Sequence, residues 1–340
     1  EHVRQPGGIR GHPQPHRGGA IAGDVRVDAL ERNDATLPAR MVGDGMSDHP
    51  PHLGRLSWRG YHLPIGAPDP NWFEWIADFT GIEVEPLPSD GAKRAPSPPV
   101  LCVMDDRHVL VDGVDLRTFP NADDLKAWLF LTVSDVMIAR GGFNAFHAAG
   151  LLVEERAVLV SGQPWSGKSS WALEALGRGI GVLGDDQVCV DPAGGVVQGL
   201  PRPMKRRLSS GDAMSRLSES AIHARLDDEY IALEPRRSNG LPPVDRCYPV
   251  SLIVHLARHS GSGIEITGMD RFAVVQAILT QVRGEPPSFL AATAAAASML
   301  ARLPNIRMSV GDGEIGRGLD AAVSLASGRS PHGVTSARDS

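Results

Sequence analysis

The sequence predicts an α/β fold: a mixed sheet with flanking helices, behind a small N-terminal α+β region. Three observations point there. The apolar run Ala157-Val158-Leu159-Val160 passes through a glycine-bounded turn straight into the helix-like Ser170-Trp171-Ala172-Leu173-Glu174-Ala175-Leu176. Further strand-like runs at 180–183, 250–256 and 306–310 alternate with helical spacing at 270–283 and 288–303. Upstream, a short hairpin pattern and one long amphipathic helix stand apart from that alternation.

Taken in order, residues 1–52 are rich in Gly, Pro, His, Arg and Asp with no apolar period, a composition that cannot offset the entropy of ordering, so a disordered tail is expected. Its histidines (His2, His12, His16, His49, His52) are irregularly spaced among prolines and read as solvated residues, not metal ligands. A small α+β region spans 53–140. Within it, 54–79 holds aromatic-bearing pieces broken by Pro64, Pro68 and Pro70, which fit short strands or a turn and helix, with the aromatics as core. Residues 86–99 resemble a linker or long loop. Val100 to Met104 and His108 to Val111 flank Asp105-Asp106-Arg107 as a hairpin, so those aspartates are turn residues. Asn121 or Asp123 caps a helix running to Arg140, with Leu125, Trp128, Leu129, Val133, Val136 and Met137 at helical spacing and Gly141-Gly142 as its stop.

The main domain is expected over 141–326. A hairpin-like stretch over 143–153 puts His147 on the strand beside 157–160. The turn that follows, Gly162-Gln163-Pro164-Trp165-Ser166-Gly167-Lys168-Ser169, has the spacing of a phosphate-binding loop, with backbone N–H groups gathered at the positive end of a helix. Each residue type has a task there. The glycines let the chain bend and approach phosphate closely, Lys168 brings a compact positive charge, and Ser169 offers a hydroxyl to magnesium, with Ser170 next in the helix.

One strand further on, Ile180 to Leu183 closes on Gly184-Asp185-Asp186. If that strand ends beside the loop, one carboxylate can hold magnesium and the other can take the proton of an attacking hydroxyl. Residues 200–207, Leu-Pro-Arg-Pro-Met-Lys-Arg-Arg, are basic and too proline-rich for a helix. Arg202 and Lys205 fit a solvated loop or a holder of a phosphoryl group or acidic peptide tail equally well. A capped helix is expected over 209–225, a polar, mobile stretch over 234–246, and a disordered tail over 327–340.

Composition narrows the function. With 340 residues, 42% of them apolar, the chain can bury a sizeable core, and a net charge of −6 excludes a nucleic-acid binder that relies on a clustered basic face. Cys102, Cys189 and Cys247 are scattered, as reduced thiols in a cytoplasmic protein are, and no metal spacing accompanies them. The alanine-rich 289–301 is too short to span a bilayer, so no membrane role is expected.

His147-Ala148-Ala149-Gly150, the strand 157–160, the loop 162–169, Arg178-Gly179, Gly184-Asp185-Asp186 and the strand 251–256 together resemble the HPr kinase/phosphorylase family, more closely its relatives in peptide-modifying pathways such as lasso-peptide precursor kinases. The resemblance covers about 143–256. It implies a phosphoenolpyruvate-carboxykinase-like core that uses ATP or another nucleoside triphosphate, with Mg²⁺, to phosphorylate a serine of a peptide or small protein, and assembly into a homo-oligomer. By the same resemblance residues 162–170 bind the triphosphate, Asp185 and Asp186 serve as metal ligand and base, and His147, which alone reads as a core histidine, tunes the base. The family's Glu-Ile-Arg-Gly signature is absent between Asp191 and Arg246, where this chain has the basic segment instead. Two other classes compete: a nucleotide-binding regulatory or scaffold module with weak hydrolysis, and a small-molecule kinase with a closed pocket.

Overall fold

A computed structural model describes residues 52–88, 99–113, 115–208, 220–226, 229–283, 289–331 and 335–336. The tail expected over 1–52 lies outside these residues except for His52, as do most of the 86–99 linker and the first part of the helix expected over 209–225. The fold is mixed α/β.

The N-terminal region opens with β1 (His52–Trp58) and β2 (Tyr61–Ala67), an antiparallel pair. Its two-residue turn, Arg59-Gly60, has φ of 52° and 78°, the left-handed values that match strand twist in a tight hairpin. Helix α1 (Asn71–Thr80) follows, burying Trp72, Phe73, Ile76 and Phe79 and stopping at left-handed Gly81. Strands and a helix therefore share the 54–79 stretch. After β3 (Val84–Pro86), strands β4 (Leu101–Val103), β5 (His108–Val111) and β6 (Asp115–Thr118) complete a sheet in the order β3-β1-β2-β4-β5-β6. The expected hairpin is β4 with β5, and the Asp105 carboxylate accepts a bond from the Arg107 N–H in its turn. Helix α2 (Ala122–Gly141) has Asn121 as its cap, accepting from the Asp124 N–H, and ends at left-handed Gly142. Its Phe130 stacks on Phe79 of α1 at 4.5 Å.

The rest of the chain runs β7 (Asn144–Phe146), β8 (Ala149–Val153), β9 (Arg156–Ser161), α3 (Lys168–Gly177), β10 (Gly181–Gly184), β11 (Val188–Asp191), β12 (Val196–Gly199), β13 (Met204–Arg207), β14 (Ile222–Leu226) and β15 (Glu229–Glu234). It continues through β16 (Tyr248–Arg258), β17 (Ile264–Gly268), α4 (Arg271–Leu279), β18 (Val282–Arg283), α5 (Phe289–Leu300), β19 (Asn305–Val310), α6 (Ile315–Ala326) and β20 (Thr335–Ser336). Several expectations shift. Residues 222–226, expected as helix, pair with β15 as a strand in the small sheet β13-β15-β14. The helix expected over 270–283 ends at Leu279 and gives way to β18, and β20 pairs with β17 inside the expected C-terminal tail. The polar 234–246 stretch is pinned to the N-terminal region, with Arg237 paired to Glu83 and Ser238 bonded to Asp78.

The main sheet positions the site. Strand β8 lies antiparallel between β10 and β9, while β16 is parallel to both β9 and β19. Consequently β10, β9, β16 and β19 all run the same way, and their carboxyl ends share one edge. Strand β9 is apolar without alternation because both faces are covered. Val158 and Val160 pack toward Trp171 and Ala175 of α3 and Leu319 of α6, whereas Ala157 and Leu159 pack with Ile278 of α4 and Leu300 of α5. No helix among the described residues is long and apolar enough to cross a membrane.

Candidate functional site

At the end of β9 the chain makes the turn singled out in the sequence. Gly162 has φ of 155°, and a Cβ there would stand 2.4 Å from the Leu256 carbonyl oxygen of β16 and 2.7 Å from Ser166 Oγ, so only glycine fits. Gly167, at φ 102°, leads into α3. The Lys168 ammonium donates to the carbonyls of Gly162 (2.9 Å) and Gln163 (3.3 Å), arching back over the loop. Ser166 Oγ is buried with no hydrogen-bond partner. Gln163 and Pro164 are exposed at the tip, Ser169 is half-buried in the first turn of α3, and Ser170 is exposed. Trp165 is 74% exposed and sits at φ 69°, a left-handed conformation that costs a bulky residue about 1–3 kcal/mol. The Arg207 guanidinium covers its ring at 4.6 Å.

Beneath the loop a buried chain of hydrogen bonds ties it down. Ser161 Oγ lies 2.9 Å from His255 Nδ1, and His255 Nε2 lies 2.9 Å from Asn305 Oδ1. The Asn305 amide donates to the Leu300 and Leu303 carbonyls, so its oxygen faces the ring and His255 carries its proton on Nε2. Burial holds His255 below the ordinary histidine range, against the Asn305 bond, which favours the charged form.

The acidic doublet follows β10. In register Gly184 is level with Gly150 of β8, which is level with Leu159 of β9, so β8 intervenes between the doublet's strand and the loop's strand. That corrects the expectation of a directly adjoining strand. The two strand ends lie two spacings apart, about 10 Å, on the same edge of the sheet. His147 does not belong to the strand beside β9. It occupies the joint between β7 and β8, where its N–H donates to the Gln281 carbonyl.

Asp185 is 4% exposed; one carboxylate oxygen accepts from the Lys205 N–H at 3.3 Å and the other is buried without a partner. Burial, then the charge of Asp186, push its pKa up to about 6, against the pull of Lys205 and Arg202. Asp186 has the opposite balance. Burial acts to raise it, but His147 and the charges of Arg202 and Lys205 outweigh burial and hold it well below the usual carboxylate range. His147 Nδ1 stands 3.1 Å from Asp186 Oδ1, within ion-pair distance though not aligned for a hydrogen bond. Arg202 spans the pocket, donating to Asp135 of α2 at 2.9 Å and reaching within 4.0 Å of Asp186. The structure thus gathers Asp185, Asp186, His147, Arg202 and Lys205 at one point, and the loop residues at another along the same edge.

Five contributors were not singled out as site residues in the sequence. Asp135 and Arg207 lie in ordinary helix and strand patterns, and the His255–Asn305 contact joins elements far apart in the chain. Arg236 is the fifth. Buried to 2% exposure, it donates to the carbonyls of Leu183, Arg202 and Pro242, bracing the segments that carry Asp185 and Arg202. Burial lowers its pKa to about 10, with Asp185 acting the other way. Gly199 makes room for it, since a Cβ there would lie 3.0 Å from Arg236 Nη2, and that glycine was the one available hint.

No protein-family model matches the chain, and no curated protein matches it. Among solved structures it is similar to the HPr(Ser) kinase/phosphatase from Coxiella burnetii, at 18% identity over 34% of this chain and 65% of that one, with a TM-score of 0.21. The chain spans less than two thirds of that protein's length.

Proposed function

We propose that the protein is an ATP-dependent kinase that phosphorylates a serine hydroxyl of a peptide or small protein, built on a P-loop kinase core. The observation that carries the reading is the shared edge: a glycine-shaped phosphate loop and a charge-tuned carboxylate pair end parallel strands that both flank β8. A module that only bound nucleotide would have no use for the second half of that arrangement.

In this reading the N–H groups of 162–169 and the Lys168 ammonium hold the triphosphate, and the Ser166 hydroxyl, buried without a partner, gains one. Asp186, the more open carboxylate, accepts the proton of the serine hydroxyl as its oxygen bonds to the terminal phosphorus and the bond to the ADP oxygen breaks. Its low basicity is adequate because phosphoryl transfer is loose and depends mainly on positioning. His147 orients Asp186, and Arg202 faces the charge that spreads over the transferring group.

Among the described residues no group of three His, Cys, Asp or Glu side chains could hold a metal. Magnesium needs none, since it binds through one or two protein oxygens plus phosphate and water, and either the unpartnered oxygen of Asp185 or the Ser169 hydroxyl would supply one. When bound it would neutralise phosphate charge.

The test is transfer of labelled terminal phosphate from ATP into serine-containing peptides. Asp186→Asn is expected to keep nucleotide affinity within about twofold while transfer falls by about 100-fold or more. Equal loss of both, or no transfer by the unaltered protein with any acceptor, refutes the assignment.

A further inference from the structure

Strand β13 carries Lys205, Arg206 and Arg207 in succession on a chain whose net charge is −6. Among the described residues it pairs with β15 alone, so among them its other edge has no neighbouring strand. Leu208 N–H donates to the Tyr230 carbonyl, which fixes the alternation: Met204, Arg206 and Leu208 bond toward β15, and the main-chain groups of Lys205 and Arg207 point outward. Two contacts show where that edge lies. The Lys205 N–H donates to Asp185 at one end, and the Arg207 guanidinium covers the Trp165 ring of the phosphate loop at the other. The edge therefore runs along the mouth of the site, from the carboxylate pair to the loop tip.

Part of its charge is already engaged, since the Lys205 charge helps to hold down the pKa of both Asp185 and Asp186. Arg207 pairs with Glu229, but among the described residues neither Lys205 nor Arg206 has an ion-pair partner. Charged residues on an edge strand discourage indiscriminate pairing, yet here all three are of one sign and selectively favour an acidic chain. From these observations we infer that this edge of β13 docks an extended, acidic segment of the acceptor protein, laid alongside Lys205 to Arg207 so that a hydroxyl near Lys205 comes beside the carboxylate pair. The inference rests on the kinase reading for its direction of transfer, and adds the acceptor's chemistry and its place. The carbonyls of Lys205 and Arg207 and the Arg207 N–H supply main-chain partners, the cations supply preference, and the exposed Trp165 ring closes the loop end.

Fluorescence anisotropy on the full chain decides it, with two labelled peptides as probes, Gly-Glu-Glu-Ser-Glu-Glu-Gly and Gly-Lys-Lys-Ser-Lys-Lys-Gly. The acidic probe is expected to bind about tenfold or more tightly than the basic one, and Arg206→Glu to weaken it at least fivefold without changing ATP affinity. Should Arg206→Glu fold poorly, Arg206→Gln is expected to give a smaller loss in the same direction. Methylating the backbone nitrogens of the acidic probe should also weaken binding, since it removes main-chain donors. Equal binding of the two probes, or binding indifferent to Arg206, overturns the inference, as does serine transfer that favours the basic probe. A chain that binds the acidic peptide but not ATP would instead refute the kinase reading and leave the docking edge standing.

Discussion

The phosphate loop and the acidic pocket occupy one edge of one sheet and are made in opposite ways. The loop is contiguous: its shape comes from Gly162 and Gly167, and its lysine is satisfied by carbonyls five and six residues away. The pocket is assembled from β10, the β7–β8 joint, helix α2 and the 200–207 segment, and is held by buried charges that answer one another. A contiguous site tolerates change one residue at a time. A composite charge pocket transmits the loss of one member to all the rest, because each remaining charge keeps its desolvation cost and loses its compensation.

Arg202→Met breaks that comparison most directly. Methionine keeps only the aliphatic stem, and Asp186, its side chain 21% exposed, is left beside Asp185 without its nearest guanidinium. A loss of about 3–5 kcal/mol at neutral pH is expected from denaturant unfolding. A loss under about 1 kcal/mol would mean the pocket is as modular as the loop.

Asp185→Asn sharpens it with a pH dependence. The folded-state pKa of Asp185 is raised from 3.8 to about 6, so the folded protein holds that proton more tightly than the unfolded chain. Its stabilising contribution is complete below the unfolded value near 4 and is lost as pH rises through about 6. Asp186, held low, contributes in the opposite sense, stabilising above the unfolded value and failing only in stronger acid. Asparagine can still accept from the Lys205 N–H but has no charge to desolvate. The variant is therefore expected to be more stable than the unaltered protein at pH 8, by up to about 3 kcal/mol, with the advantage shrinking toward pH 4. Urea midpoints at pH 4.5, 6 and 8 measure it; an advantage that does not change with pH would assign the burial cost to something other than this carboxylate.

The same contrast explains what the sequence made legible. Residues 162–169 could be read because every determinant of the loop lies within it, and α2 could be read because its cap Asn121 and stop Gly142 are local signals. The carboxylate doublet was visible as a doublet, but its surroundings were not. His147 looks like a strand residue until Gln281, more than a hundred positions later, takes its N–H and parts β7 from β8. Residues 222–226 fall within an expected helix although Ile222, Ala224 and Leu226 alternate, and their pairing with β15 decides the matter. Arg236 carries no local pattern at all; what defines it is three carbonyls from three separate segments.

The smallest effect tests whether the loop is independent of β13. Trp165 holds a left-handed φ of 69° under the Arg207 guanidinium. Replacing it with glycine relieves backbone strain of about 1–3 kcal/mol but adds unfolded-state entropy worth about 0.5–1 kcal/mol and removes a cation–π contact worth about 0.5–1 kcal/mol at an exposed site. These terms oppose one another. Trp165→Gly is thus expected to leave global stability within about 1 kcal/mol, read from urea unfolding, a small fraction of the loss at Arg202. A larger loss would show that the loop leans on β13 as heavily as the pocket leans on Arg202, and the distinction between a local site and an assembled one would fail at the contact where the two meet.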